Sequence, residues 1–115
     1  MRTTAFLLAI VLVLTVPLTA YAIPRTVAVA PELTFNGTTA YCEATVFGNS
    51  TSEYITVTMR LWRGNRLLET WTADGYGYVL MSETRTVTQG KTYRLAVNYT
   101  INGVNQPQVY IDRTC

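Results

Sequence analysis

The sequence of 115 residues contains no histidine, and this absence excludes several kinds of site. Catalytic triads use imidazole as the base, and catalytic zinc sites use it as a ligand. Cysteine is also scarce, since only Cys42 and Cys115 are present. Two thiols can form one disulfide, but they cannot supply the three or four ligands of a thiolate metal site or an iron–sulfur cluster. The sequence therefore predicts neither a metal site nor a cofactor.

Charged residues are few and nearly balanced, with 9 Lys+Arg against 7 Asp+Glu and a formal net charge of +2. This excess is too small to indicate a nucleic-acid partner, and the length allows one domain at most. Two carboxylates could hydrolyse a glycoside without histidine, but the acidic residues are scattered singly along the chain. Nucleophile motifs such as G-x-S-x-G, Gly-rich phosphate loops and EF-hand loops are missing. We expect a protein that is not an enzyme.

Residues 1–22 have the pattern of a secretory signal peptide. Arg2 supplies a positive start, residues 5–16 are almost entirely apolar, and Ala20-Tyr21-Ala22 has the A-x-A form of a cleavage site. An uncleaved membrane anchor is the alternative, because the apolar stretch approaches the minimum length of a bilayer span. The small residues before the cleavage point favour removal. We expect a secreted, extracellular domain of residues 23–115 with no membrane attachment.

Beyond the leader, the chain is rich in Thr, Val and Tyr, and its apolar residues recur at every second position. This period is typical of strands that bury one face. Seven such runs, separated by turn residues, favour an all-β fold: a seven-stranded, two-sheet, immunoglobulin-like sandwich. The predicted strands are 26–35, 39–47, 54–62, 66–72, 77–87, 93–101 and 105–114.

Gly64-Asn65 is typical of a two-residue type II′ hairpin. If the two strands pair without a bulge, each residue lies opposite the one whose number, added to its own, gives 129. Trp62 would then face Leu67, Arg60 would face Glu69 in an opposite-charge pair, and Thr58 would face Trp71.

Asn102-Gly103 is typical of a type I′ hairpin. An uninterrupted register here would turn Gln106 and Gln108 inward, whereas a bulge near Pro107 would return the apolar residues of the last strand to the core. Pro107 also indicates an edge strand, because its missing N–H costs little there.

Outside the cytoplasm, two thiols in a small domain most often form a structural disulfide. If every strand reverses the direction of the previous one, the start of the second strand lies near the end of the seventh. Cys42 and Cys115 stand at those two ends, and their parity places both thiols inward. We therefore expect a disulfide between them. A reactive thiol at Cys115 is the alternative.

The segment Val87-Thr88-Gln89-Gly90-Lys91-Thr92-Tyr93-Arg94-Leu95 resembles the tyrosine corner of immunoglobulin-like and fibronectin type III-like sandwiches. The resemblance implies that the Tyr93 hydroxyl binds back to the preceding loop, and it places Leu95 where antibody domains carry their second cysteine. Residues 33–115 as a whole resemble small secreted bacterial sandwich proteins of uncharacterised function, through the Glu69-Thr70-Trp71 stretch, the Asn-Gly hairpin and the terminal cysteine. This likeness implies a fold and secretion, but no activity.

The uninterrupted register places Arg60, Trp62 and Trp71 together on the outer face of one hairpin. Tyr76-Gly77-Tyr78 would form a flexible aromatic loop beside it. These residues are the candidate binding surface, because exposed aromatic rings anchor protein partners or stack on sugars. Plain cross-strand packing and an ordinary connecting loop are the structural alternatives. We expect a binding or structural module for an extracellular protein, as in protein interaction or adhesion, with carbohydrate binding as the second hypothesis.

Overall fold

The computed structural model describes residues 28–115, in which every regular element is a β-strand. The predicted signal peptide and its cleavage site lie outside the described residues. Within 28–115, no helix is long and apolar enough to cross a membrane. The strands are β1 (Ala28–Asn36), β2 (Thr39–Phe47), β3 (Tyr54–Arg63), β4 (Arg66–Tyr76), β5 (Tyr78–Thr86), β6 (Thr92–Ile101), β7 (Val104–Asn105) and β8 (Val109–Thr114).

The strands form two antiparallel sheets. One sheet has the order β1-β2-β5, and the other has the order β4-β3-β6, with β7 and β8 both paired to β6. The prediction of an all-β, two-sheet sandwich is confirmed. The seventh predicted strand is divided into β7 and β8.

The core lies between the two sheets and is built from the inward positions of each alternating strand. In β2, every second residue from Ala40 to Val46 is buried, while the residues between them point outward. The same period in β3 buries every second residue from Ile55 to Leu61. The largest fully buried side chains are those of Tyr93, Ile55, Met59, Leu61, Leu95, Val46, Val57, Val97 and Cys42.

The β3–β4 hairpin confirms the first part of the predicted register and contradicts the rest. Gly64 alone in this turn has a positive φ, +61°, as a type II′ turn requires, and Trp62 is opposite Leu67. The next pair is Leu61 with Glu69, so Leu68 is an extra residue in β4 and forms a β-bulge. The predicted pairs of Arg60 with Glu69 and of Thr58 with Trp71 are therefore wrong.

The β6–β7 hairpin and the strand after it match the sequence interpretation. Asn102 and Gly103 both have positive φ, 51° and 82°, which is the requirement of a type I′ turn. Pairing shifts by one residue between β7 and β8, across the segment that contains Pro107. As a result Val109 and Ile111 pack against the core, and β8 is an edge strand.

Tyr93 ties the start of β6 to the loop that precedes it. Its hydroxyl accepts a hydrogen bond from the Thr88 backbone N–H at 2.8 Å and donates to the Thr88 carbonyl at 3.3 Å. This is the contact implied by the tyrosine-corner resemblance. The ring is buried and lies 5.9 Å from that of Phe35, centroid to centroid.

The expected disulfide is absent: among residues 28–115, Cys42 and Cys115 are both free thiols. The strand directions bring the expected ends together, because the Cys115 thiol lies 3.4 Å from the carbonyl of Gly37, just before β2. Cys42, however, is three residues into β2, which places it about 10 Å further along the strand at ~3.4 Å per residue. Such a separation exceeds what a disulfide can span.

Candidate functional site

The structure divides the predicted binding surface among three places. Arg60, Trp62 and Tyr76 lie on the outer face of the five-stranded sheet. Trp71 lies opposite Met59 and packs against the core, because the bulge at Leu68 reverses the facing of the following residues. Tyr78 belongs to β5 and points outward from the other sheet. The five residues therefore do not form one surface.

Tyr76-Gly77-Tyr78 is not the flexible loop expected from the sequence, because the chain passes from β4 to β5 through Gly77 alone. The Gly77 carbonyl accepts a hydrogen bond from Gly48 N–H at 2.8 Å, and its N–H donates to the Glu53 carbonyl at 2.9 Å. Its φ is +81°, and an added Cβ would lie 3.1 Å from Thr51 Cα. Glycine is required at this crossing both by conformation and by the close approach of another segment.

Trp62 lies beside a charged and aromatic cluster on the outer face of the five-stranded sheet. Its neighbour on β6 is Arg94, which binds both carboxylate oxygens of Asp112, at 2.8 and 2.9 Å. The guanidinium also stacks over the Tyr110 ring, 3.9 Å from its centroid. The hydrogen bonds from Arg94 hold the pKa of Asp112 below its ordinary value. Arg94 is therefore held by Asp112 and Tyr110, and its ion pair with Asp112 carries no net charge.

The centre of this face is polar. Asn98 Oδ1 accepts hydrogen bonds from Arg60 at 3.3 Å and from Gln108 at 3.0 Å, and the hydroxyls of Thr56 and Thr100 bond to each other. Arg60, Asn98 and the two threonines line a shallow groove of about 340 Å³. At the far end, the ring of Tyr54 lies 5.1 Å from that of Tyr76, and its hydroxyl donates to Asp74, which raises the pKa of Tyr54.

The outer face of the three-stranded sheet carries an apolar patch that the sequence analysis missed. The patch consists of Phe47, Tyr78 and Leu80, whose exposed fractions are 52%, 58% and 68%. Phe47 and Tyr78 are direct cross-strand partners with stacked rings 6.1 Å apart, and Leu80 follows on the same face of β5. The outward parity of Phe47 in the 39–47 run was the signal that could have identified it.

Two carboxylates border the apolar patch on the same face. Glu32 of β1 and Glu43 of β2 are exposed and directly opposite each other. On the outer face of β2, Glu43 is the residue next to Thr45, which is the partner of Leu80. Neither forms an ion pair with another described residue, since the two ion pairs within 28–115 are Arg85–Glu69 and Arg94–Asp112. The face therefore has an uncompensated negative charge beside its exposed apolar side chains. Like charges directly opposite each other on paired strands are also destabilising.

Comparison with known proteins gives a fold and no family. No protein-family model and no curated protein sequence matches the chain. Among solved structures, the chain is similar to part of β-glucuronidase 2 of Bacteroides uniformis, with 11% sequence identity and a TM-score of 0.52. The match covers 77% of this chain but only 13% of the length of that enzyme. At this identity the similarity supports the β-sandwich fold alone.

Proposed function

We propose that this chain is a secreted, non-catalytic module that binds another protein through the outer face of its β1-β2-β5 sheet. The observation that carries the proposal is the apolar patch of Phe47, Tyr78 and Leu80, each more than half exposed. Contiguous exposed apolar surface is uncommon on small soluble domains and marks sites of interaction. Aromatic side chains are also enriched among the residues that dominate binding energy at protein interfaces.

The charge beside the apolar patch specifies the partner's chemistry. A partner that places a Lys or Arg side chain between Glu32 and Glu43 would relieve their mutual repulsion while its apolar residues cover Leu80 and the two rings. The partner is therefore a polypeptide segment that combines apolar and basic side chains. A strongly acidic segment would be repelled.

The test is a selection of peptides from a displayed random library against the purified protein. We expect enriched sequences that pair apolar residues with Lys or Arg, and at least tenfold weaker binding by Leu80→Ser. Val104→Ser is the matched control, since Val104 is 62% exposed but lies on β7, in the other sheet. Recovery of no such peptides, or equal binding by Leu80→Ser and wild type, would overturn the proposal.

Two other occupants of the apolar patch would also be revealed by experiment. Concentration-dependent self-association in sedimentation, abolished by Leu80→Ser, would assign the patch to a second copy of the chain. A photo-crosslinker placed at position 80 that couples to residues 23–27 of the same molecule would assign it to the segment preceding β1. Either result would contradict binding of another protein at this face.

Carbohydrate binding is the second candidate, and it is favoured by the outer face of the five-stranded sheet. There, hydroxyl, amide and guanidinium groups line the 340 Å³ groove. Aromatic rings lie beyond both of its ends, with Trp62 at one end and Tyr54 and Tyr76 at the other. Such groups recognise the polar edges and apolar faces of sugar rings. A glycan array with wild type, Trp62→Ala and Asn98→Ala tests this: binding lost in both variants supports it, and no binding by wild type excludes it.

A further inference from the structure

A second groove, of about 220 Å³, lies between the tip of the β3–β4 hairpin and the connection from β5 to β6. It is separate from the apolar patch, which belongs to β2 and β5 at the Gly77 end of the sandwich. Three arginines contribute to the groove. Its lining consists of Arg63, Arg66, Leu68, Arg85, Thr86, Val87, Thr88 and Tyr93.

Two of these arginines are directly opposed, and within residues 28–115 neither has a carboxylate partner. Arg63 and Arg66 are cross-strand partners that flank the Gly64 turn. Neither forms an ion pair with another residue of the described range. Because like charges opposed across a ladder repel each other, this arrangement is destabilising unless an anion lies between or beside them.

The third arginine is anchored at the wall of the groove. Arg85 Nη1 donates to the Leu68 carbonyl at 2.6 Å and to the carboxylate of Glu69. One carboxylate thus accompanies three guanidinium groups, which leaves an excess of two positive charges (3 − 1) around the groove. The bulge at Leu68 matters here, because it supplies the extra backbone carbonyl that holds Arg85.

The opposite wall is fixed by hydrogen bonds that do not use the side-chain hydroxyls of Thr86 and Thr88. The Val87 N–H donates to the Thr38 carbonyl at 2.8 Å, and the Thr88 backbone is held by the Tyr93 hydroxyl. Thr86 and Thr88 are both exposed and line the groove. Each therefore offers a hydroxyl donor at the border of the groove.

The size of the groove suits an oxyanion with part of the molecule that carries it. Its volume of about 220 Å³ is well above that of a single water molecule, about 30 Å³ in the liquid. Guanidinium groups recognise the oxygens of sulfate and phosphate through paired N–H donors, which lysine cannot do in the same way.

We propose that this groove binds a sulfate or phosphate group, held by Arg63 and Arg66 and bordered by the anchored Arg85. The doubly charged anion matches the charge excess, and the hydroxyls of Thr86 and Thr88 complete its hydrogen bonding. The site is independent of the protein-binding face proposed above.

The test is a ¹H–¹⁵N NMR titration of the purified protein with inorganic phosphate and with inorganic sulfate, each against sodium chloride of equal ionic strength. We expect saturable shifts at the amides of residues 86–88 and at the side-chain Nε–H of Arg63 and Arg66.

Arg63→Gln/Arg66→Gln should weaken binding at least tenfold. Arg66→Gln alone, at an exposed position, serves as a second variant in case the double variant is poorly folded. Arg113→Gln is the charge-matched control, because Arg113 is exposed but does not line the groove.

Shifts no larger than those caused by sodium chloride, or equal binding by Arg66→Gln, Arg113→Gln and wild type, would overturn the proposal. The source of the anion is distinguished by a parallel titration with a sulfated polysaccharide and its desulfated form. Tighter binding of the sulfated polymer than of free sulfate, through the same arginines, identifies an ester-borne anion. Equal or weaker binding identifies the free ion.

Discussion

Trp62 and Trp71 lie on opposite faces of the β3–β4 hairpin, although a regular two-residue turn would place both rings on one face. The cause is the single extra residue Leu68, which shifts the pairing between Trp62–Leu67 and Leu61–Glu69. A one-residue shift reverses the facing of every later side chain in a strand. Trp71 thereby joins the core, and Trp62 remains on the outer face with Arg94 as its neighbour.

Truncating the two tryptophans should therefore have unequal effects on stability. Trp71→Ala removes a ring that packs against the core, and we expect a loss of about 2–3 kcal/mol in the free energy of unfolding, below the value for a fully buried ring. Trp62→Ala should cost less, because its ring covers the outer face. Chemical denaturation of both variants measures the difference, and a larger loss for Trp62→Ala would place the bulge elsewhere.

The Tyr93 hydroxyl should contribute to stability independently of its ring. Tyr93→Phe keeps the buried ring and removes the bond to the Thr88 N–H, so we expect a loss of about 1 kcal/mol. Tyr99→Phe is the matched control. Tyr99 is also buried, which raises the pKa of its hydroxyl, but that hydroxyl makes no hydrogen bond to another described residue. Equal losses in thermal unfolding of the two variants would argue against the role of the Thr88 contact.

The two thiols should differ strongly in reactivity. Burial, with a smaller contribution from Glu83, raises the pKa of Cys42 to about 11, so roughly one thiol in a thousand is ionised at pH 8. Cys115 is partly exposed at the end of the chain. A chromogenic disulfide reagent at pH 8 should titrate one thiol rapidly in the native, unreduced protein and two after denaturation.

Cys115→Ser is the control for this assignment, and it should eliminate the rapid reaction. Two thiols that appear only after reduction would instead show that a disulfide joins the cysteines. That outcome would require β2 or β8 to slide by about three residues from the positions described above.

The Arg94–Asp112 pair should make stability depend on pH in the acid range. Hydrogen bonds from Arg94 lower the pKa of Asp112 from its ordinary 3.8 in the folded protein. A carboxyl group with a lowered folded pKa contributes stability above its unfolded pKa, and this contribution is lost as the pH falls through the folded value. The Tm of wild type should therefore exceed that of Asp112→Asn at neutral pH, with a difference that shrinks below pH 3.8.

Arg94→Gln removes the cause of the lowered pKa, and it should abolish the same acid dependence. A difference between wild type and Asp112→Asn that stays constant from neutral pH to the acid limit of folding would contradict this interpretation. The result would mean that Asp112 acts through packing and not through its charge.

Alternation and turn chemistry were sufficient to predict the sandwich, because strands such as β2 and β3 bury every second residue. In β2 the period from Ala40 to Val46 is unbroken, and at Asn102-Gly103 both positive φ angles follow from the residue types. The bulge at Leu68 was not predictable in the same way. Leu67 and Leu68 are both apolar, so the sequence does not indicate which of them is the extra residue.

The alternation of apolar residues also does not determine how far along a strand a residue lies, or which residues distant in sequence share a face. Strand direction correctly brought the end of β8 to the start of β2, but it did not determine the distance of Cys42 from that end. The apolar patch depends on the pairing of Phe47 with Tyr78, which lie 31 positions apart (78 − 47), and on the crossing at Gly77. Local periodicity contains no information about such pairing.

The most direct test of binding at the β1-β2-β5 face is a ¹H–¹⁵N NMR map of the protein with one selected apolar and basic peptide. The proposal predicts saturable shifts at the outward residues of this sheet, with Leu80, Tyr78 and Glu43 among them, and loss of those shifts in Leu80→Ser. Shifts confined to the outer face of the five-stranded sheet or to the arginine groove, and unchanged in Leu80→Ser, would contradict it.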